Sequence, residues 1–94
     1  MPGLDGKVVI TCPLTGGIHG KEANPNLPEQ PDEIVEQGIA AWRAGAAILH
    51  VHARLPDGSN TMDKAIYREI HERLCAETDA IVQLTTGGSP RLTV

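Results

Sequence analysis

Phenylalanine is absent from this 94-residue chain, which holds a single Trp and a single Tyr. Any core must therefore be aliphatic, built from Ile, Val, Leu and Ala. Cysteine is scarce as well: Cys12 and Cys75 stand alone, outside any C-x-x-C pair, which points to buried free thiols in a cytosolic protein. Lys and Arg number eight against twelve Asp and Glu, for a net charge of −4. Without a basic cluster, the chain is a poor match for nucleic acid or an anionic membrane surface. Its longest apolar runs fall far short of the roughly 20 residues that span a bilayer. Met1–Gly6 lacks the basic and apolar regions of a secretory signal, so a cytoplasmic protein is expected. What remains is an ordinary globular composition, 40% hydrophobic and 21% charged, long enough for one small domain.

The apolar pattern divides the chain into five elements. Lys7-Val8-Val9-Ile10-Thr11-Cys12 is β-branched and bounded by Gly6 and Pro13, which predicts a strand; its near-continuous apolarity suits burial on both faces. A long Gly- and Pro-bearing loop follows from Pro13 to Gln30, and loops of that length inside a domain are usually functional. Pro31-Asp32-Glu33 opens a helix, with Pro at its first position and acids in its first turn. Gln30 is a poor capping residue. Ile34, Val35, Ile39 and Trp42 form its apolar stripe, and Gly45 stops it. Ala46–His52 is a second strand, Leu55–Ser59 a turn, and Met62–Glu77 a second helix carrying Ile66, Ile70 and Leu74. Ala80–Thr86 is a third strand, running into Gly87-Gly88-Ser89-Pro90.

This β-α-β-α-β order requires parallel strands. The chemically loaded clusters all fall at strand C-terminal ends: Thr15-Gly16-Gly17, His50/His52/Arg54, and Thr85-Thr86-Gly87-Gly88. Ligands of α/β sheets and barrels bind at that end. In an extended strand His50 and His52 share one face, Cα atoms about 6.5 Å apart, with Ile48 below and Arg54 above. Two imidazoles so placed can reach one metal ion at about 2.0–2.1 Å. The same spacing also serves ordinary polar residues at a strand end, and spacing by itself leaves both readings open.

Three separated segments resemble a known family. Thr11-Cys12-Pro13-Leu14-Thr15-Gly16-Gly17-Ile18-His19, the strand Ala44 to Arg54 with Asp57-Gly58 after it, and Gln83 to Arg91 are similar to motifs of the β-keto acid cleavage enzymes. The family includes 3-keto-5-aminohexanoate cleavage enzyme. The resemblance implies a (β/α)8 TIM barrel binding Zn²⁺ through His50 and His52, with a later glutamate as third ligand. It implies condensation of a β-keto acid with acetyl-CoA and cleavage to acetoacetate and a new CoA thioester. On the same grounds Thr15, Gly16, Ile18, Arg54, Thr85, Gly87 and Gly88 are the expected substrate-binding residues. A homo-oligomer is the expected state of the full-length protein. One departure matters: where the aminohexanoate enzyme has a glutamate for the substrate's ammonium group, this chain has Ile18. Burying an unpaired ammonium there would be costly, so an uncharged β-keto acid is expected.

A (β/α)8 barrel takes about 250 residues, so residues 1–94 are expected to be the N-terminal part of one such domain. The third metal ligand and the main catalytic groups would lie beyond Val94, and the 94 residues by themselves are expected to be inactive. Two other readings compete. An amidohydrolase-like barrel also uses H-x-H at a strand end, though typically on its first strand rather than its second. A small α/β module could instead bind a metal or ligand without turnover.

Overall fold

Helix boundaries in this chain follow from how each end satisfies its free backbone groups. The computed structural model describes residues 7–85. Helix α1 spans Pro31–Arg43. At its start the Glu33 carboxylate accepts from the backbone N–H groups of Gln30 (3.1 Å) and Glu29 (3.3 Å), so the acid three residues on compensates for a poor cap. The Gln30 side chain reaches away and donates to the Leu55 carbonyl at 2.9 Å. At the other end Gly45 takes φ +119°. Its N–H donates to Trp42 O and that of Ala46 to Ala41 O, both at 3.0 Å, the paired bonds of a Schellman stop. Helix α2 spans Lys64–Glu77 and is capped by Asp63, whose carboxylate accepts from Ala65 N–H at 2.8 Å.

Three strands, β1 (Thr11–Pro13), β2 (Ile48–Val51) and β3 (Ile81–Leu84), form a parallel sheet in the order β1-β2-β3. Register aligns Cys12, Leu49 and Val82 in one row and Pro13, His50 and Gln83 in the next. Successive rows point to opposite faces. Leu49 and Val51 are buried, together with Ile34 and Val35 of α1 and Tyr67, Ile70 and Leu74 of α2. Cys12 and Val82 pack against that cluster. Each of the large aliphatic side chains contributes about 1.5–3 kcal/mol by leaving water. The other face carries Thr11, Pro13, Ile48, His50, Ile81 and Gln83, none of them buried. Pro13 is tolerated because its nitrogen points away from β2; the next N–H, of Leu14, donates to His50 O at 3.2 Å.

The element order and the parallel, α/β class agree with expectation, as part of a (β/α)8 barrel. Several boundaries do not. Pairing with β2 starts only at Thr11, and Val8, Val9 and Ile10 are 81%, 53% and 51% exposed. Within the described residues the expected strand is thus shortened to Thr11–Pro13 and Lys7–Ile10 is exposed, although the Ile10 carbonyl already accepts from the N–H groups of Ala47 (2.9 Å) and Ile48 (3.2 Å). The expected stripe of α2 holds at Ile70 and Leu74, with Ile66 partly buried against the core, and is widened by the buried Tyr67. Cys75, next to Leu74 and about a hundred degrees around the helix, is exposed rather than buried, and Cys12 is half-buried; both are free thiols. Trp42 is half-buried, and its indole N–H donates to Asp79 at 2.7 Å. Among the described residues no helix is long and apolar enough to cross a membrane.

A β-carbon at Gly45 would meet only open space, so the backbone alone decides what can stand there. Gly45→Ala is expected to lower unfolding stability by about 1–2 kcal/mol through the positive φ. A urea midpoint that stays put or rises would contradict that.

Candidate metal and substrate site

β2 ends at Val51, and His52 is the next residue along. The imidazoles of His50 and His52 lie edge to face, ring centroids 5.2 Å apart and planes inclined by 66°. A ring centre sits about 3 Å from an ion that its nitrogen ligates at about 2.0–2.1 Å, so this separation lets both rings serve one ion. Each is half-buried. Burial, the neighbouring His50 and Arg54 all hold the pKa of His52 below the ordinary histidine value. They favour the neutral ring, which is the form that binds a metal. The donor set of two imidazole nitrogens suits Zn²⁺ but fills only half of a tetrahedral sphere. Among the described residues no cluster of three or more His, Cys, Asp or Glu side chains forms a complete site.

His50 has a neighbour across the sheet. Its register partner on β3 is Gln83, and His50 Nδ1 lies 2.8 Å from Gln83 Oε1. The segment after the pair is fixed from α2, where the Tyr67 hydroxyl accepts the Ala53 N–H at 3.1 Å.

Arg54 does not continue the face of the two histidines. The strand has ended by then, so its alternation no longer holds, and the guanidinium turns beneath the β1–α1 loop. It is only 4% exposed. Nη2 donates to the carbonyls of Gly16 (2.8 Å) and His19 (2.9 Å), and Nη1 to that of Gly58 (2.8 Å). Glu29 lies 3.6 Å from Nη1 and accepts the Lys21 N–H at 3.0 Å. Asn60 adds a bond to Gly17 O at 2.8 Å. A β-carbon on Gly20 would collide with Glu29 Oε2, so a larger residue there would have to displace the Glu29 carboxylate from beside Arg54. The loop is therefore pinned from inside by one buried cation.

The remaining expected residues are dispersed around that framework. Thr15 is buried, its hydroxyl donating to the Pro28 carbonyl. Gly16 is exposed on the loop, and Ile18 is 78% exposed. Thr85 follows β3, with its N–H on Val51 O at 3.1 Å, and borders an open cavity of about 550 Å³ with Met62, Tyr67 and His71. Gly87 and Gly88 lie outside the described residues. Sequence reasoning passes over Gln83, Glu29, Asn60 and Tyr67. A count of strand parity would find Gln83, two positions before Thr85 and level with His50. No local pattern marks Glu29, Asn60 or Tyr67, whose partners are brought to them by the fold.

The profile of the beta-keto acid cleavage enzyme family matches residues 7–94. The chain is 51% identical over 89 residues to a 3,5-dioxohexanoate:acetyl-CoA acetone transferase of Paraburkholderia graminis, covering 94% of this chain and 29% of that protein. It is 38% identical over 88 residues to a 3-keto-5-aminohexanoate cleavage enzyme of Fusobacterium nucleatum, covering 93% and 32%. With a 3-dehydrocarnitine:acetyl-CoA trimethylamine transferase of Rhizobium meliloti it shares 35% over 86 residues, covering 89% and 29%. The chain thus spans about three tenths of the length of these curated relatives. With its parallel strands, its H-x-H pair at the end of β2 and this near-complete match, the chain belongs to the beta-keto acid cleavage enzyme family.

Proposed function

We propose that the protein carrying this chain is a zinc-dependent acyltransferase that converts a β-keto acid and acetyl-CoA into acetoacetate and a new acyl-CoA. The observation that carries the reading is the His50–His52 pair, two imidazoles 5.2 Å apart on the open face at the end of β2, in a chain of this family. In the exchange, the acetyl group of acetyl-CoA takes the place of the acyl group on the keto acid's CH₂–COO⁻ unit. That acyl group leaves on the CoA sulfur, so carbon and charge balance without an oxidant.

When bound, Zn²⁺ would polarise keto and carboxylate oxygens and stabilise the charge that develops on them. His50 and His52 would hold it, both as neutral rings. Gly16 and Ile18 stand on the exposed part of the loop and would face the substrate. Thr15, tied to Pro28, shapes the loop from within. Thr85, Gly87 and Gly88 would contribute from the end of β3. Arg54 serves the same mouth indirectly: with its Nη groups committed to loop carbonyls, it presents Gly16–His19 rather than gripping substrate. The third metal ligand and the main catalytic groups would come from chain beyond Val94. A cytoplasmic homo-oligomer is part of the same reading, as is inactivity of the 94 residues alone.

Ile18 supports an uncharged substrate tail, since an exposed aliphatic side chain offers an ammonium group no counter-charge. The 51% identical relative is named for 3,5-dioxohexanoate, which bears a carbonyl where 3-keto-5-aminohexanoate bears an amine. The full-length protein is expected to release acetoacetate faster from an alkyl- or oxo-tailed β-keto acid than from the 5-amino compound, with Ile18→Glu narrowing the gap. Preference for the 5-amino substrate would reject the assignment. Arg54→Leu would strand Glu29 and the carbonyls of Gly16, His19 and Gly58, costing about 3–5 kcal/mol. Arg54→Lys should rescue little, because an ammonium lacks the fork. A thermal melt of Arg54→Leu indistinguishable from the unsubstituted protein would show that the arginine is not the strut described.

A further inference from the structure

We infer that Gln83 is a positioning residue for the metal site: its side-chain carbonyl fixes the proton of His50 on Nδ1 and so aims the Nε2 lone pair at the ion. The inference rests on the proposed metal reading of His50 and His52 and adds a residue from a different strand to it.

Parallel pairing sets His50 and Gln83 at the same level, on the same face, on adjacent strands, and adjacent strands lie about 4.8 Å apart. Both side chains rise from the sheet on the side away from the helices. Over that span a glutamine reaches the near edge of an imidazole, and the observed Nδ1–Oε1 separation is 2.8 Å. A carbonyl oxygen can only accept. With that oxygen toward Nδ1 the ring carries its hydrogen there, and a neutral imidazole with Nδ1 protonated has its one free lone pair on Nε2. Metal-bound histidines usually donate their second nitrogen to such an acceptor, which sets both tautomer and ring orientation. His50 is the member of the pair inside the regular strand, where an acceptor on the next strand can be held at a constant height.

A rotated amide would reverse the consequence. With the NH₂ group toward Nδ1, the hydrogen of the ring would sit on Nε2, leaving no free lone pair there for an ion. The side chain at position 83 thus decides whether His50 is ready to bind. Glutamate preserves the acceptor in either orientation. Leucine, of similar size, removes it.

The test uses the full-length protein and three forms of residue 83: Gln, Glu and Leu. Zn²⁺ affinity is read by competition with a chromophoric chelator, the His50 tautomer by ¹⁵N NMR of the metal-free protein, and folding by thermal melting without metal. Gln83→Leu should bind Zn²⁺ about 10–100-fold more weakly, lose the Nδ1–H signature of His50, and melt close to the unsubstituted protein. Gln83→Glu should keep both affinity and tautomer. Equal Zn²⁺ affinity in the Leu and Gln forms, or a His50 hydrogen on Nε2 in the unsubstituted protein, would overturn the role of Gln83 while leaving the metal pair standing. Failure of the unsubstituted protein to bind Zn²⁺ would overturn the metal reading itself, and this inference with it.

Discussion

The constraint on which the structure turns is the register of β2 between its two neighbours. Leu49 and Val51 fill the enclosed side of the sheet beneath α1 and α2, which places His50 on the opposite side. Strand alternation has a period of two, so a slip by one residue would turn His50 toward the aliphatic core and Leu49 and Val51 away from it. Several kcal/mol of burial would be lost and an imidazole would be left in a largely aliphatic layer. The position of the histidines is thus enforced by residues that never touch the site. The same register brings Gln83 level with His50, so the packing of one face of the sheet organises the chemistry of the other.

A second, independent element holds the β1–α1 loop. Few hydrophobic contacts are available to a segment of glycines, prolines and asparagines, and entropy favours leaving it loose. Arg54 supplies what the core cannot, by bringing three loop and turn carbonyls and Glu29 around one guanidinium. A buried arginine is costly unless its donors are used and its charge is balanced. Here the Nη groups are used and Glu29 lies alongside. The pairing couples the loop after β1 to the residue two positions past His52, so the loop and the histidine pair are held by neighbouring residues of one short segment.

Much of this is legible in the sequence. Pro31-Asp32-Glu33 and Gly45 mark the ends of α1 because capping is local chemistry. The parallel order follows from alternating strand and helix patterns, and the histidine pair from its i, i+2 spacing. What the sequence hides depends on contacts distant in the chain. Lys7–Ile10 reads as strand by composition, yet pairing with β2 starts only at Thr11. Arg54 falls on the histidine face only if alternation is extended past the point where the strand ends. Cys75 lies next to a buried leucine in sequence but around the helix from it in space. Gln83 sits inside a recognisable motif, and only the register shows which residue it meets.

The claim that binds these observations is that His50 and His52 act as one pair of zinc ligands. Its most direct test is X-ray absorption at the zinc edge of the loaded full-length protein, compared with His50→Ala, His52→Ala and the double substitution. The predicted result is imidazole scattering from nitrogens at about 2.0–2.1 Å, weakened by each single substitution and abolished with tight binding in the double. A zinc environment unchanged when both histidines are removed would contradict it.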